Sequence, residues 1–561
     1  MNATFCYKQL KTGSVRFPRI NFAVPCAAQK VVPTPTNVYV TNLGALPVRV
    51  FFTFNYPMNG SDYFNFIVTN LTNRTTETLR YQPATIYNIG GLIVDNQYTI
   101  AVQAVIDGIP RGISVPTEPF APGYGILQFT KRLQYQAQTD SVPIPDLAGG
   151  DPIGYIAQRT ASAICIDRQN NLVIALKDSV TNKGYVLKYS NAGAVVFPNA
   201  VALPATFTPY AVSTDTNSNI YIAGYDTSAD PNTGLTVITP SLVKLSGVDG
   251  SFLLRTSNND LIGGRFTGIT ISLQTIYVCG YLVSDIGTVQ SFILSKNLNF
   301  EELAGDIRPQ DTDPDAGSIL VARSICIDSL GRPVVTGYNQ TTDFTTSQYF
   351  IAIYEPSTMQ RLLYVKNGAP VNHTLGESIA ACPDGGIAIC GSTTTTLDGI
   401  GFVGIGGQNA FISKYDFSIY TNDELLAFSG DLPLLWTKLV GSTDSGATST
   451  QGLAIAVDSQ GGIYAVGETS GGIAPFGQTG GMGDLFVIKY DVSGTQKYLN
   501  QLGSTNFLPF LSTTFGNAVA INSYNDFFMA GVSDGIRFNQ LTNPAGTQVP
   551  GIFVTKYSAT A

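Results

Sequence analysis

GLAIAVDSQGGIYAVGETS, residues 452–470, sets two short apolar-rich segments on either side of Ser459-Gln460-Gly461-Gly462, the pattern of a two-stranded hairpin. Its reading decides the fold, because the stretch recurs. Related hairpins begin at Ala161 (ASAICIDRQNNLVIALKD), Ala211 (AVSTDTNSNIYIAGYD), Gly268 (GITISLQTIYVCGYL), Arg323 (RSICIDSLGRPVVTGYN), Glu377 (ESIAACPDGGIAICGST) and Asn517 (NAVAINSYNDFFMAGVSD), giving seven copies. Each is followed by a third strand, such as YVLKYSNAG, AFISKYDFS or IFVTKYSAT, and most by a fourth, such as LLWTKLVGS. Four short antiparallel strands repeated roughly every 50 to 70 residues are the signature of propeller blades.

The seventh copy ends after its third strand, and the missing fourth stands ahead of the first copy. LQFTKRLQY, Leu127 to Tyr135, matches LLWTKLVGS in that Phe129-Thr130-Lys131 lines up with Trp436-Thr437-Lys438. An amino-terminal strand that completes the last blade joins both ends of a ring and covers the edges an open array leaves exposed. The hairpin, together with the following SGGIAPFGQTGGMGDLFVIKYDVSG, resembles the seven-bladed β-propeller repeat family. The resemblance spans about 430 residues and implies a fold but no activity. Copies six and five fit best; copy three has neither the aspartate nor the glycine turn.

Ahead of the repeats, NVYVTN, VRVFFTFNY, YFNFIVTN, ETLRYQP and QYTIAVQAVI are short strands spaced by turn residues, as in a small β-sandwich. The segment from Ile86 to Pro119 resembles the end of a fibronectin type III domain, with Leu92, then Tyr98, then alternating Ile100, Val102 and Ala104. That resemblance implies that the Tyr98 hydroxyl ties back to backbone at a strand corner and that Phe52 or Phe54 stands where the family has tryptophan. The predicted fold is therefore all-β: a basic arm over residues 1–30, a fibronectin type III-like β-sandwich over 31–120, and a seven-bladed β-propeller over 121–561 closed by the strand at 127–135.

The composition agrees: 57 glycines, 28 tyrosines and 31 phenylalanines stand beside only 12% charged residues, which suits short strands and tight turns. Net charge is −8, yet residues 1–30 carry Lys8, Lys11, Arg16, Arg19 and Lys30 with no acid, so the remaining chain carries −13. An acidic body is a poor surface for nucleic acid, and no apolar run reaches the length of a membrane span. The arm, through Lys8, Lys11, Arg16 and Arg19, is expected to anchor the chain on an acidic partner surface. The short apolar patch near its start, interrupted by Asn21 and Pro25, makes a weak signal peptide.

Seven cysteines without a CxxC pair form neither a disulfide framework nor a zinc site; Cys165, Cys326 and Cys382 read as small buried strand residues at matching places in three copies, and whether Cys6 and Cys26 pair is left open. No metal and no cofactor is expected. Asp167, Asp215, Asp328, Asp384 and Asp458 recur at the first hairpin turn, where an aspartate bonds nearby backbone N–H groups, and Asn522 takes the place in the seventh copy. Lys188, Lys244, Lys414, Lys489 and Lys556 recur near the third-strand end, as a solvated or turn-pairing stripe. The one histidine, His373, has no nucleophile motif beside it, so no catalytic residue is assigned and the chain is expected not to be an enzyme.

Short, similar first-to-second and third-to-fourth turns against variable second-to-third and fourth-to-first connections predict one plain and one decorated face, with recognition on the decorated one. Tyr225, Asp226, Phe402, Phe476, Arg537 and Phe538 are the candidate binding residues there, since aromatics and arginine dominate binding energy. Sequons stand at Asn2, Asn59, Asn70, Asn73, Asn339 and Asn372. Arm, sandwich and head in this order lead to an expected role as a non-catalytic structural or attachment protein on a virion of a large DNA virus. Its partners would be capsid or surface proteins of that assembly, with a glycan or host receptor bound by the head. The alternatives are a secreted or cell-surface adhesin or lectin, and a propeller hydrolase or lyase acting on polysaccharide.

Overall fold

A computed structural model describes residues 34–41, 48–53, 62–83, 87–90, 92, 96–106, 108–117, 127–133, 162–177, 183–197, 200–229, 236–283, 289–307, 318–403, 407–442, 444, 448–473, 483–503, 514–533, 537–538, 541–542 and 551–557. The described chain is all-β apart from one five-residue helix, Asn422–Leu426, and a short 3-10 turn at Asn259–Leu261. Two compact units divide it, one holding most of residues 1–120 and the other residues 121–561. The arm, with Cys6 and Cys26, lies outside the described residues.

The first unit has two antiparallel sheets. Thr36–Thr41, Val48–Thr53 and Tyr87–Ile89 form one; the other runs in the order Thr75–Tyr81, Tyr63–Asn70, Tyr98–Ile106, Ile109–Ile113. Alternation along Tyr63–Asn70 sends Phe64, Phe66 and Val68 inward, where the two phenylalanine rings meet Phe52 and Tyr87 with centroids 4.9–6.1 Å apart. Phe52 thus packs in this core. The buried Tyr98 hydroxyl accepts a hydrogen bond from Asn70 Nδ2 at 3.0 Å, and this amide, held inside, is not presented as a glycan acceptor. Asn339 is buried likewise.

In the second unit, among the described residues, seven four-stranded antiparallel sheets follow one another, the first six simple meanders. Their first strands are Ser162–Ile166, Phe207–Thr214, Gly264–Ser272, Ile319–Ile327, Thr374–Ala381, Thr450–Val457 and Thr514–Ile521. Each first strand packs against that of the next sheet, and the seventh packs against the first, so the series is cyclic and these strands are innermost: a propeller arrangement. The last sheet takes its fourth strand from far upstream, Leu127–Leu133 pairing antiparallel with Gly551–Tyr557. Between sheets the core is a succession of apolar layers. Ile164, Leu172 and Leu176 of the first sheet, for example, pack with Ala518, Phe528 and Val554 of the seventh.

Two local devices repeat. In six sheets the innermost strand slips register by one residue, skipping Tyr210, Thr267, Arg323, Glu377, Leu453 and Asn517 in turn. Opposite the slip, the second strand carries glycine. A Cβ on Gly467 would lie 1.9 Å from Gln451 O, and Gly224, Gly337 and Gly391 meet a backbone oxygen at the same distance. The recurrent glycine of the repeat is therefore required by the bulge facing it.

The second device is the first hairpin turn. Asp458 Oδ1 accepts from Gln460 N and Gly462 N, while Gly461 adopts φ +81°. The same scaffold holds Asp167, Asp215, Asp328 and Asn522. In the fifth sheet the alignment read from sequence is corrected by two residues: Cys382 N, not Asp384 N, bonds across the turn, to Gly386 O. Cys382 thus takes the aspartate's place, and Asp384 sits two residues on. The third sheet has only Leu273-Gln274 between paired Ser272 and Thr275, too short a loop to need a carboxylate.

Of the two readings of the recurrent lysines, solvated or turn-pairing, the turn-pairing one holds. Lys188, 1% exposed, pairs with Asp167 at 2.8 Å and donates to Gly247 O in the next sheet. Lys556 pairs with Asp526 at 2.8 Å and donates to Asn191 O of the first sheet at 2.7 Å; Lys414 pairs with Asp384 and reaches Val492 O. Each ties its own hairpin turn to the third-to-fourth turn of the following sheet. Where the third strand has Ile353 in place of lysine, Arg332 does the same from the turn itself, bonding Asp328, Tyr420 O and Phe417 O.

Candidate recognition site

Tyr225 and Asp226 follow the glycine of the second sheet's second strand, on the side where that strand leaves for its variable connection. Asp226 is buried and spends its carboxylate internally: Arg255 forms an ion pair with it, and Ser257 and Thr206 donate to it at 3.0 Å. Burial alone would raise this carboxyl; Arg255 and the Ser241 and Ser257 hydroxyls outweigh it and hold it below the ordinary value. Its role here is to brace Arg255. Phe402 lies half-buried in the loop after the fifth sheet's second strand, away from Tyr225 in the fold order. Arg537–Phe538 forms a two-residue strand paired with Leu541–Thr542, and Phe476 and the four arm cations lie outside the described residues.

Tyr225 opens onto a larger constellation. Its half-buried ring packs on Tyr210 with centroids 5.8 Å apart, and the Arg265 guanidinium sits 5.4 Å from its centroid and 5.1 Å from that of Tyr281. In the next sheet Arg323 lies 5.6 Å from the Tyr338 centroid, with Nε 3.4 Å from Glu377 Oε2 in the sheet after. Tyr210, Arg265, Arg323 and Glu377 all stand on innermost strands, so four consecutive sheets contribute to one line of cations and aromatic faces. Cation–π contacts of this kind are worth about 0.5–2 kcal/mol each, more when desolvated.

The Arg323 charge is held firmly. Burial works against the Arg323 charge, but Glu377 and the Tyr338, Tyr281 and Tyr210 oxygens outweigh it and hold the guanidinium above its ordinary value. Burial raises the Tyr210 phenol against the pull of Arg265. Two guanidinium groups stand in the line with one carboxylate, which leaves it net positive; Arg265, Tyr281 and Tyr338 are buried, and Tyr210, Tyr225 and Arg323 are the half-buried members.

Reading the sequence missed this line apart from Tyr225. A signal was present: the second-strand glycine is followed by tyrosine in Gly224-Tyr225, Gly280-Tyr281 and Gly337-Tyr338, three consecutive copies, but by serine, glutamate or valine in the last three. His373 sits at the entry to the fifth sheet with Nδ1 3.2 Å from Ser347 Oγ, a hydroxyl that is 1% exposed and closed to a substrate. Among the described residues no group of three or more His, Cys, Asp or Glu side chains is placed to hold a metal ion, and no helix is long and apolar enough to cross a membrane.

No family model and no curated protein matches the chain. Solved structures similar to it include the β-propeller domain of the Trilobed protease from Pyrococcus furiosus, at 8% identity and TM-score 0.36 over 72% of this chain and 98% of that one. A chain of the mitotic checkpoint complex is similar at 10% identity and TM-score 0.39, covering 77% and 99%. Polysaccharide lyase Uly1 is similar at 11% and 0.39, covering 72% and 90%. These scores are low, and the propeller arrangement of this chain rests on its own sheets.

Proposed function

We propose that the chain is a non-catalytic binding protein displayed on a large assembly, with a seven-bladed propeller as its head. The smaller unit is a fibronectin type III-like spacer, a reading its split into three- and four-stranded sheets supports. Residues 1–30 serve as the anchor, and the assembly is a virion of a large DNA virus. One observation carries the binding role: half-buried Tyr210, Tyr225 and Arg323 lie at the accessible side of a preorganised line whose Arg265, Tyr281 and Tyr338 are buried behind them and whose carboxylate is already ion-paired. Such groups hold a ligand without exchanging protons, whereas acid–base catalysis needs a group that titrates near the working pH. The ligand class is an anionic or ring-bearing protein or glycan surface.

A glycan array and a product assay test this together. Native protein should bind one ligand class without releasing product, and Tyr225→Ser should weaken binding at least tenfold with the melting temperature unchanged. Turnover abolished by a single carboxylate substitution would defeat the non-catalytic reading. Copurification with intact particles, lost when residues 1–30 are deleted, tests display.

A further inference from the structure

The plain face is not plain in its chemistry. First-to-second and third-to-fourth turns leave the same end of every sheet, and their tips carry exposed apolar side chains: Val248 and Leu273 at 84% exposure each, Ile419 at 67%, Tyr524 at 62%, Leu330 at 55% and Val492 at 45%. These six belong to six different sheets. Turn tips ordinarily take polar residues or glycine. Leu273 stands at φ +54°, where a bulky side chain is strained, and nothing inside the fold uses that side chain. Apolar exposure repeated around a ring marks an interaction surface.

The field around these tips is negative. Asp249, Glu301, Asp423 and Glu424 are exposed on the same turns, against Arg168 as the exposed base among the described turn residues, because the lysines are turned inward as staples. A complementary partner carries basic residues interleaved with apolar ones and no acid. Residues 1–30 have that composition: Tyr7-Lys8, Leu10-Lys11, Arg16-Phe17 and Arg19-Ile20.

We propose that residues 1–30 of one copy dock across the turn face of a second copy, apolar side chains between the blade tips and cations against the acids. The contact is head-to-tail, so it builds rings or filaments. It takes the arm's anchoring role from the reading above and names the arm's partner as another copy of this chain.

Sedimentation of the full-length protein without particles tests it. Concentration-dependent association that weakens with salt is expected, with competition by a synthetic peptide of residues 1–30. Labelled peptide should bind full-length protein, and Val248→Glu with Ile419→Glu should weaken that binding at least tenfold with melting unchanged. Reversing Lys8, Lys11, Arg16 and Arg19 to Glu should leave a monomer. A wild-type monomer at every concentration, peptide binding indifferent to the tip substitutions, or association that survives the reversed arm would each overturn the proposal. Particle incorporation is a separate readout, so loss of display and loss of self-association are distinguishable.

Discussion

Replacing Lys188 by Met tests whether the inter-sheet staples hold the ring. Lys188 and Asp167 are 1% and 0% exposed in their side chains, so the substitution strands a buried carboxylate and removes the donor from Gly247 O. Breaking one side of a buried pair costs about 3–5 kcal/mol. Asp167 keeps hydrogen bonds from Gln169 N, Asn171 N and Asn171 Nδ2, which places the expected loss near the lower end, about 3 kcal/mol. The control lies in the same protein: Lys497 and Asp491, 37% and 30% exposed at 3.3 Å, form a surface pair. Lys497→Met should cost under about 1 kcal/mol. Urea unfolding followed through Trp436, the single tryptophan, reads both. Asp167→Asn added to Lys188→Met should recover part of the loss, because no charge is then left unpaired. Equal midpoints for Lys188→Met and Lys497→Met would refute the staple.

Gly467→Ala should destabilise by at least about 1–3 kcal/mol, the range for overpacking, since its Cβ meets backbone at 1.9 Å; Gly430→Ala, with nothing within 4 Å, should be near neutral in the same melt. Deleting Leu127 to Tyr135 should lower the melting temperature far more than deleting residues 1–30, and equal melts would refute closure by that strand. Asp226 has a folded pKa below its unfolded value, so its pairing contributes stability above about pH 4 that is lost as pH falls through the folded value; Arg255→Met should flatten that acid limb. The Cys279 thiol, pushed up to about 12 by burial, should resist alkylation at pH 8 until the protein is unfolded.

Much of the sheet pattern was legible because it rests on local signals that recur: a turn, an alternation, a glycine. The pairing of Leu127–Leu133 with Gly551–Tyr557 was legible through one tripeptide, Phe-Thr-Lys against Trp-Thr-Lys. Repetition also misled. Cys-Pro-Asp in the fifth copy imitates Cys-Ile-Asp in the first and fourth, and only the hydrogen bond from Cys382 N shows the offset. The lysines read as solvated or turn-pairing, and nothing local decided between the two, because their partners, an aspartate about twenty or more residues upstream and a carbonyl in the following sheet, meet them only once the ring is formed. The arginine–tyrosine line is assembled from four sheets whose sequence spacing says nothing of their contact. Asp226 looked like a contact residue by type, and its burial behind Arg255 is a tertiary fact.

The strand Leu127–Leu133 has a temporal consequence. It leaves the ribosome roughly 420 residues before its partner Gly551–Tyr557, an interval of about 20–80 s at ordinary synthesis rates of about 5–20 residues per second. Through that interval both edges of the growing array stay unpaired and open to other chains. Crowded synthesis should therefore favour swapped products, in which the early strand of one nascent chain completes the last sheet of another. A permutant beginning at Ser162 and carrying 127–133 after Ala561, with residues 558–561 supplying the turn, would remove the wait and should raise the yield of monomeric protein.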